Sequence, residues 1–354
     1  MNEIKECFHP GKYIKEAIEE LEMSQHEFAA RVGITDKFLS TVINEDTKMN
    51  FDFASKLSKM FGTSLNVWMN LQTNYDIYQN ELLRKDELKQ EIEIFKLIDS
   101  KFLFMKEIFE KSDNLEERIR KLRQALPVAN LCNLVKQDLF SFYRISGSKN
   151  ESENPDWTVN SNVWLSLALV EAKKNEGSKF DEKKLRQSIS VIRNMTINIS
   201  DDYEILLKNI LSTCGVNLVI MPYLKKSRIN GLVRWMPEFD NVVVALNGKG
   251  QYCDIFWFTL FHELGHVFQK DKRRMIVDGT DEELEDEANQ FARDELIPSH
   301  KYNAFITSFK HTKTEVIEFS REIGVHPGIV VGRLHNDRIL GFNELNDVRR
   351  KIAI

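Results

Sequence analysis

His262-Glu263-Leu264-Gly265-His266 is the stretch that decides the fold of the second half of this 354-residue chain. Two histidines four positions apart lie on one face of a helix, because 3.6 residues complete a turn. Their imidazole nitrogens can then meet a single Zn²⁺, and the carboxylate after the first histidine can accept a proton from an attacking water molecule. Such a pentapeptide also arises by chance, so its surroundings must support the interpretation.

The residues around this motif are almost all apolar. Ile255-Phe256-Trp257-Phe258 precedes it and Val267-Phe268 follows it, so we expect a buried helix. A buried histidine or glutamate without a partner costs several kcal/mol, and a metal ion supplies that partner. The alternative is a pair of core histidines bonded to backbone carbonyl groups, with Glu263 at a solvent edge.

A catalytic zinc site needs a third protein ligand, and an acidic helix is predicted over residues 281–292. Its apolar positions predict one inward face, made of Leu284, Ala288, Phe291 and Ala292. Glu287 borders this face and is the carboxylate that we expect to point inward, with Glu283 as the second candidate. The remaining carboxylates are expected to form a solvated charged face: Glu282, Glu285 and Asp286.

These segments resemble the ImmA/IrrE metallopeptidases over roughly residues 200–335. The similarity rests on the histidine motif, on Glu287-Ala288-Asn289-Gln290-Phe291-Ala292 and on Leu296-Ile297-Pro298. It implies that His262, His266 and Glu287 bind Zn²⁺ and that Glu263 is the general base. The predicted fold class is α+β and mostly helical, with a zincin-like domain around a small β-sheet at the carboxyl terminus.

Three β-branched runs precede the motif, at residues 216–221, 231–236 and 241–246, and Gly, Pro and Asn bound them. In zincin-like peptidases an edge strand holds an extended substrate by main-chain pairing. Val242, Val243 and Val244 in the third run are the candidates for this role. An ordinary core strand without contact to substrate is the alternative.

A second signal lies near the amino terminus, where residues 24–40 predict two short helices around a glycine turn. Ser24 and Glu27 have the capping-box spacing. Gly33 suits the left-handed position after a helix, and Thr35 can cap the next one. This is a helix-turn-helix, whose second helix enters the major groove of DNA with its early residues toward the bases. The expected DNA contacts are Asp36, Lys37, Ser40 and Thr41.

Residues 8–78 resemble the HigA-type antitoxin branch of the Xre/Cro repressor family, from His9-Pro10-Gly11 to a Trp-x-x-Leu-Gln-x-x-Tyr-Asp ending at residues 68–76. The resemblance implies operator binding by a homodimer, with Trp68 and Tyr75 as packing residues. Residues 1–75 hold eight Lys and Arg against eleven Asp and Glu, which is a weak basic footprint for phosphate contacts. Protein contacts in place of DNA are the alternative; we predict DNA binding of modest affinity.

Length and composition predict two or three globular domains. The net charge is −5 and 42% of the residues are hydrophobic. We expect no membrane contact and a cytoplasmic location, because no long apolar run or signal peptide is recognisable. The four separated cysteines indicate reduced thiols. The predicted division is a helix-turn-helix domain at 1–78, a helical accessory region at 79–200 and a metallopeptidase domain at 201–354.

These features together predict a transcriptional regulator with zinc-dependent endopeptidase activity. The ImmA/IrrE resemblance implies that its protein substrate is a partner repressor. The alternative is an antitoxin-like DNA-binding repressor whose peptidase half is a sensor or an inactive scaffold. A toxin partner is a further alternative, and the middle region could dimerise the protein, sense a signal or separate its two ends.

Overall fold

The computed structural model describes residues 7–136, 155–174, 177–227, 229–236, 240–248, 252–269, 275–277 and 282–352. The chain divides into two compact units, Met1–Gln90 and Glu91–Ile354. The helices of the predicted accessory region thus belong mainly to the second unit. The polar sequence of residues 146–155 predicts a boundary loop, which lies, apart from Pro155, outside the described residues. Within the described ranges, no helix is both long enough and apolar enough to cross a membrane.

Five helices begin in the first unit. They are α1 (Pro10–Glu20), α2 (Gln25–Val32), α3 (Asp36–Ile43), α4 (Phe51–Phe61) and α5 (Leu65–Leu97). Local chemistry sets the turn between α2 and α3. Gly33 adopts φ 75°, in the left-handed region that a residue with a Cβ avoids. The Thr35 hydroxyl then accepts a hydrogen bond from the Phe38 N–H at 3.2 Å and caps α3.

The core of the first unit confirms the helix-turn-helix predicted from sequence. Five apolar side chains of α2 and α3 are buried: Phe28, Ala29, Val32, Leu39 and Val42. Ile34 is partly buried and packs against the same cluster, and Trp68 is 7% exposed within it. Ser24 caps α2 as predicted, whereas the Glu27 carboxylate bonds Arg31 at 2.6 Å.

The second unit contains ten further helices and four strands among the described residues. The helices before the sheet are α6 (Ser100–Met105), α7 (Leu115–Ala125), α8 (Pro155–Ala172), α9 (Glu182–Asn194) and α10 (Tyr203–Thr213). The strands are β1 (Val216–Pro222), β2 (Gly231–Met236), β3 (Asn241–Gly248) and β4 (Met275–Val277). The other helices are α11 (Cys253–Phe268), α12 (Glu282–Leu296), α13 (Ser299–Ser308), α14 (Lys313–Ile323) and α15 (Pro327–Asn336).

The strand order in the sheet is β1-β3-β2-β4. β3 runs parallel to β1 and antiparallel to β2, with Val216 opposite Val242 and Val233 opposite Val244. β4 pairs antiparallel with β2. The three β-branched runs therefore form strands as predicted. The three-residue β4 was not predicted from the sequence.

The predicted substrate role of Val242, Val243 and Val244 is wrong. Both main-chain edges of β3 are taken by β1 and β2, so this strand has no free hydrogen-bonding groups for strand addition. Its side chains are at most 2% exposed over residues 242–246. The run is a central core strand, which was the alternative interpretation.

Helices cover both faces of the sheet. Val216, Leu218 and Val244 belong to the same buried cluster as Trp257 of α11. On the other face, Asn217 donates a hydrogen bond from Nδ2 to the Ala172 carbonyl of α8 at 2.7 Å. α8 is buried around most of its circumference, so it is part of the core that holds the sheet against α11.

Candidate metal centre

Helix α11 brings the three motif residues into a closed environment. His262, Glu263 and His266 are 6%, 0% and 1% exposed. Leu260, Phe261 and Leu264 in the same helix are completely buried. A histidine pair at this depth needs polar partners in the protein or a bound ion. The sequence prediction of a buried motif helix is confirmed.

Gly265 allows a second helix to approach the histidines closely. A Cβ added at Gly265 would lie 3.0 Å from the Ala288 Cα of α12, closer than ordinary van der Waals contact. Ala288 itself is 0% exposed. Because both contact residues are small, α12 packs tightly on α11. Glu285, three residues before Ala288, and Asn289, the residue after it, therefore reach His262 and His266.

Two side-chain amides orient the imidazole rings. His262 Nδ1 lies 3.1 Å from Asn289 Oδ1, and His266 Nδ1 lies 2.9 Å from Gln269 Oε1. Gln269 Nε2 donates to the Leu284 carbonyl at 2.7 Å, which directs the amide oxygen to His266. An amide oxygen only accepts, so each Nδ1 carries the ring proton and each Nε2 presents a lone pair.

The two Nε2 atoms face each other at 3.1 Å. Glu285 completes the group, with Oε2 3.2 Å from His262 Nε2 and Oε1 3.5 Å from His266 Nε2. Among the described residues, His262, His266 and Glu285 are the cluster whose ligand atoms converge. Ligands about 2.0–2.1 Å from a tetrahedral zinc ion lie roughly 3.3 Å apart, so this donor set fits Zn²⁺ in type and spacing.

The third carboxylate differs from the one that the sequence favoured. Glu285 joins the histidines, whereas Glu287 is exposed and its Oε2 lies 3.5 Å from Gln269 Nε2. Glu283, the second candidate, is also exposed. The buried line of α12 runs through Ala288, Ala292 and Leu296.

The position of Phe291 explains this difference. The sequence pattern predicts Phe291 on the inward face, but its side chain is only partly buried and packs against Phe268, with ring centroids 5.3 Å apart. Counting it turned the deduced face toward Glu287, which lies one turn before it. Extending the line of buried alanines back by one turn leads instead to Glu285.

The carboxylate of Glu263 lies against strand β2 of the sheet. Its carboxylate approaches Gly231 in β2 so closely that a Cβ at that position would overlap it. The glycine therefore lets a strand pass directly beside the carboxylate. Glu263 follows His262 in the chain and is completely enclosed, so bulk water is excluded from its carboxylate.

The predicted DNA contacts lie on α3. Asp36 and Lys37 are exposed in its first turn, whereas Ser40 and Thr41 are half-buried. Asp36 Oδ2 lies 2.7 Å from His26 Nδ1, and this hydrogen bond raises the pKa of His26. Thr41 donates from Oγ1 to the Phe38 carbonyl at 2.9 Å, so its hydroxyl proton is used within the helix.

The polar residues that follow Trp68 hold the segment between α3 and α4. Gln72 Oε1 accepts the Met49 N–H at 2.8 Å, and Asp76 pairs with Lys48 at 2.9 Å. Tyr75 donates to Glu45 at 3.2 Å. Tyr75 and Trp68 thus have the packing role expected of them. The polar contacts were missed from sequence because they join residues more than twenty positions apart.

In comparisons with known proteins, each of the two compact units matches a different family. Residues 243–335 match the family model of the IrrE N-terminal-like peptidase domain, and residues 14–68 match that of the helix-turn-helix. The HTH-type transcriptional regulator YddM of Escherichia coli strain K12 is 32% identical over 72 residues, which are 20% of this chain and 77% of that protein. Virulence-associated protein I of Dichelobacter nodosus is 27% identical over 76 residues, 21% of this chain and 70% of that protein.

Two solved structures are similar to about a quarter of this chain. An addiction module antidote protein of the HigA family from Coxiella burnetii is 28% identical, with a TM-score of 0.23, over 23% of this chain and 91% of that chain. PA4674 of Pseudomonas aeruginosa, solved with its operator DNA, is 25% identical, with a TM-score of 0.23, over 25% of this chain and 98% of that chain.

Proposed function

The chain belongs to the family of HTH-type transcriptional regulators through its first unit and carries an IrrE N-terminal-like peptidase domain in its second, and we propose that it is a zinc-dependent endopeptidase fused to its own DNA-binding domain. The observation that carries this proposal is the convergence of His262, His266 and Glu285 beside the enclosed Glu263. Zn²⁺ is the proposed cofactor, because two imidazoles and one carboxylate form a typical catalytic zinc set that leaves a position for water.

A zinc ion bound there would supply Lewis acidity, which polarises a peptide carbonyl and lowers the pKa of water. The residues of the chain do the rest. Asn289 and Gln269 keep the protons of His262 and His266 on Nδ1. Glu263 accepts the proton of the attacking water on its carboxylate and then donates it to the leaving amine.

The proposed substrate is a protein, specifically a partner transcription repressor. This part of the proposal rests on the ImmA/IrrE resemblance and on the presence of a DNA-binding domain in the same chain. A substrate held by strand addition needs a sheet edge. β4 offers one beside β2, the strand that lies against Glu263. A toxin encoded beside this gene would add a third partner.

The first unit is proposed to bind an operator as a homodimer, with Asp36, Lys37, Ser40 and Thr41 facing the major groove. Lys37 and Asp36 are exposed for this contact. Two copies would be needed, because a single slightly acidic unit neutralises few phosphates. We also propose a cytoplasmic location, since Cys214 and Cys253 are buried free thiols, as in a reducing compartment.

The test compares the wild type with Glu263→Gln. Both are loaded with Zn²⁺ and incubated with a mixture of peptides from a digested bacterial proteome, and new termini are identified by mass spectrometry. We expect about one zinc ion per chain in both proteins. Cleavage should fall by at least about 100-fold in the variant, the scale of general acid–base catalysis.

Three outcomes separate the alternatives. Cleavage by Glu263→Gln at the wild-type rate would contradict the mechanism. A wild type that binds zinc and shifts its own promoter fragment, but cleaves no peptide, would favour a repressor with a sensor domain. A wild type that binds no zinc would leave a transcription factor with an inactive scaffold.

A further inference from the structure

A cavity lies along α11 on the amino-terminal side of the metal centre. α11 and α12 are antiparallel, because the contact of His266 with Glu285 is followed by that of His262 with Asn289. Moving one more turn in the same direction leads from His262 toward the amino-terminal half of α11. There the two helices and α15 enclose a cavity of about 180 Å³.

Apolar side chains from all three helices form most of its wall. They are Ile255, Phe258, Leu296, Ile297 and Ile329. Phe258 joins this cavity to the metal centre, since its ring centroid is 6.4 Å from that of His262. Ile255 is 40% exposed although it is a large aliphatic residue, which is consistent with a wall that is open to an incoming group.

The charged groups around the cavity are already engaged within the protein. Asp254 accepts two hydrogen bonds from Arg349, at 3.1 and 2.7 Å. Arg333 donates from Nη1 to the carbonyls of Arg293 and Ile297, at 3.1 and 2.9 Å. Arg293 itself lies 3.5 Å from Asp337. With these charges paired, the surface that remains available to a ligand is mainly apolar.

We propose that this cavity is the specificity pocket of the peptidase and takes one large apolar side chain, aromatic or branched aliphatic, of the peptide substrate. This inference rests on the proposed peptidase function. The volume is sufficient, since an apolar cavity of about 150 Å³ admits benzene. The distance also fits. Thr259 and Ile255 precede His262 by three and seven residues, or about 5–10 Å along the helix, and side chains on one side of an extended peptide repeat every 7 Å or so.

Thr259 offers a way to fill the pocket without touching the metal ligands. It lines the cavity and donates from Oγ1 to the Ile255 carbonyl at 2.9 Å. Thr259→Phe would place an aromatic ring in the space proposed for the substrate. Thr307→Phe is a matched control, because Thr307 makes the same kind of bond, to the Asn303 carbonyl at 2.8 Å, on the exposed surface of α13.

The experiment measures binding as well as cleavage. The probe is a set of blocked octapeptides in which one position at a time is varied through all amino acids. Cleavage is measured with zinc-loaded full-length wild type, Thr259→Phe and Thr307→Phe. Binding is measured with the same peptides and full-length Glu263→Gln, alone and combined with either change. Zinc content and melting temperature establish that each variant is folded and loaded.

We expect Phe, Tyr, Leu and Met to be enriched at one position next to the scissile bond. Thr259→Phe should weaken binding and cleavage of those peptides by at least about 10-fold, the scale of one mismatched apolar group in a pocket, and shift the preference to Ala or Gly. Thr307→Phe should change neither. A second variant, Ile255→Ala, enlarges the pocket and should extend the preference to Trp.

The outcomes distinguish this inference from the proposed function. Cleavage without any preference for large apolar residues, or a preference unchanged by Thr259→Phe and Ile255→Ala, would overturn the pocket and leave the peptidase. Selective binding by Glu263→Gln without cleavage by the wild type would support the pocket and overturn the peptidase. The absence of both selective binding and cleavage would overturn both.

Discussion

At the scale of single residues, the metal centre combines features that are local in sequence with one that is not. His262, Glu263 and His266 could be predicted, because helical periodicity alone places two residues four apart on one face. The third ligand depends on how α12 rotates about its own axis. Positions 285 and 287 differ by about 200° around a helix, so the choice between the two carboxylates depends on which face of α12 is taken as the inward one.

Replacing each candidate carboxylate separately tests the assignment of the third ligand. We expect Glu285→Gln to lower the zinc affinity by at least about 100-fold, because loss of a ligand should exceed the 10–100-fold typical of an outer hydrogen-bond partner. Glu287→Gln is the matched control on the same helix and should bind zinc as the wild type does. Competition with a chromogenic chelator measures both affinities. The reverse ranking would restore Glu287 as the ligand.

The orienting amides show a further limit of sequence reasoning. Asn289 stood within the motif that carries the family resemblance, and Gln269 follows His266 by three residues. The role of Asn289 becomes visible only when the Gly265–Ala288 contact sets the spacing of α11 and α12. A pattern of residues along one helix contains no information on which amide of a second helix will meet its histidines.

At the scale of the secondary-structure elements, both units use the same device to begin a helix. His9-Pro10-Gly11 begins α1 and His326-Pro327-Gly328 begins α15. In each, the histidine Nδ1 accepts a hydrogen bond from the glycine N–H, at 3.1 and 3.0 Å. Burial lowers the pKa of both histidines. The nearby carboxylates act in the opposite direction and raise it: Glu45 and Asp76 at His9, and Asp254 at His326.

The cap at His326 predicts a loss of stability in mild acid. Its folded-state pKa lies below the unfolded value of 6.5, so the unfolded chain binds more protons in that interval. The free energy of unfolding should therefore decrease as the pH falls from about 6.5 through the folded-state pKa. His326→Asn keeps a capping acceptor that does not titrate.

The measurement is urea unfolding of metal-free protein in the presence of a chelator, so that loss of zinc does not contribute. We expect the two proteins to have similar stability at pH 7.5. At pH 5 the wild type should lose about 1 kcal/mol more than His326→Asn, the typical contribution of a helix cap. Equal losses in both proteins would show that the His326 cap does not titrate with folding.

The strands show why element identity is easier to predict than element position. Three of the four strands followed from β-branched runs, a local property of the chain. The place of β3 in the centre of the sheet depends on a parallel crossover from β1 and a hairpin with β2. The sequence Val242-Val243-Val244 does not distinguish a central strand from an edge strand, because both kinds of strand can be buried on both faces of a sheet.

At the scale of the whole molecule, the chain has two units with separate cores and separate chemistry. The first unit has its own buried cluster around Phe28 and Leu39. The cluster of the second unit surrounds α11. This organisation predicts that changes at the proposed DNA surface and at the metal centre can be made independently of each other.

Lys37 is the residue to test at the DNA surface. It is exposed in the first turn of α3, and no ion pair of Lys37 occurs within the described part of the chain. Nearby Asp36 is held by His26, and the hydrogen bond between them raises the pKa of His26. A protonated His26 would offset the Asp36 charge, so the net potential at this helix terminus depends on Lys37.

We expect Lys37→Ala to weaken binding to a fragment of the protein's own promoter and to reduce the slope of log affinity against log salt by about 1, the value of one lost phosphate contact. Lys59→Ala, at an exposed position in α4, is the matched control and should leave the slope unchanged. Gel-shift titrations at four salt concentrations measure both.

Zinc content and peptide cleavage should remain at wild-type values in Lys37→Ala, while Glu263→Gln should lose cleavage and keep the promoter affinity. A loss of cleavage in Lys37→Ala would instead show that the two units depend on each other, and an unchanged salt slope would place the phosphate contacts on another surface.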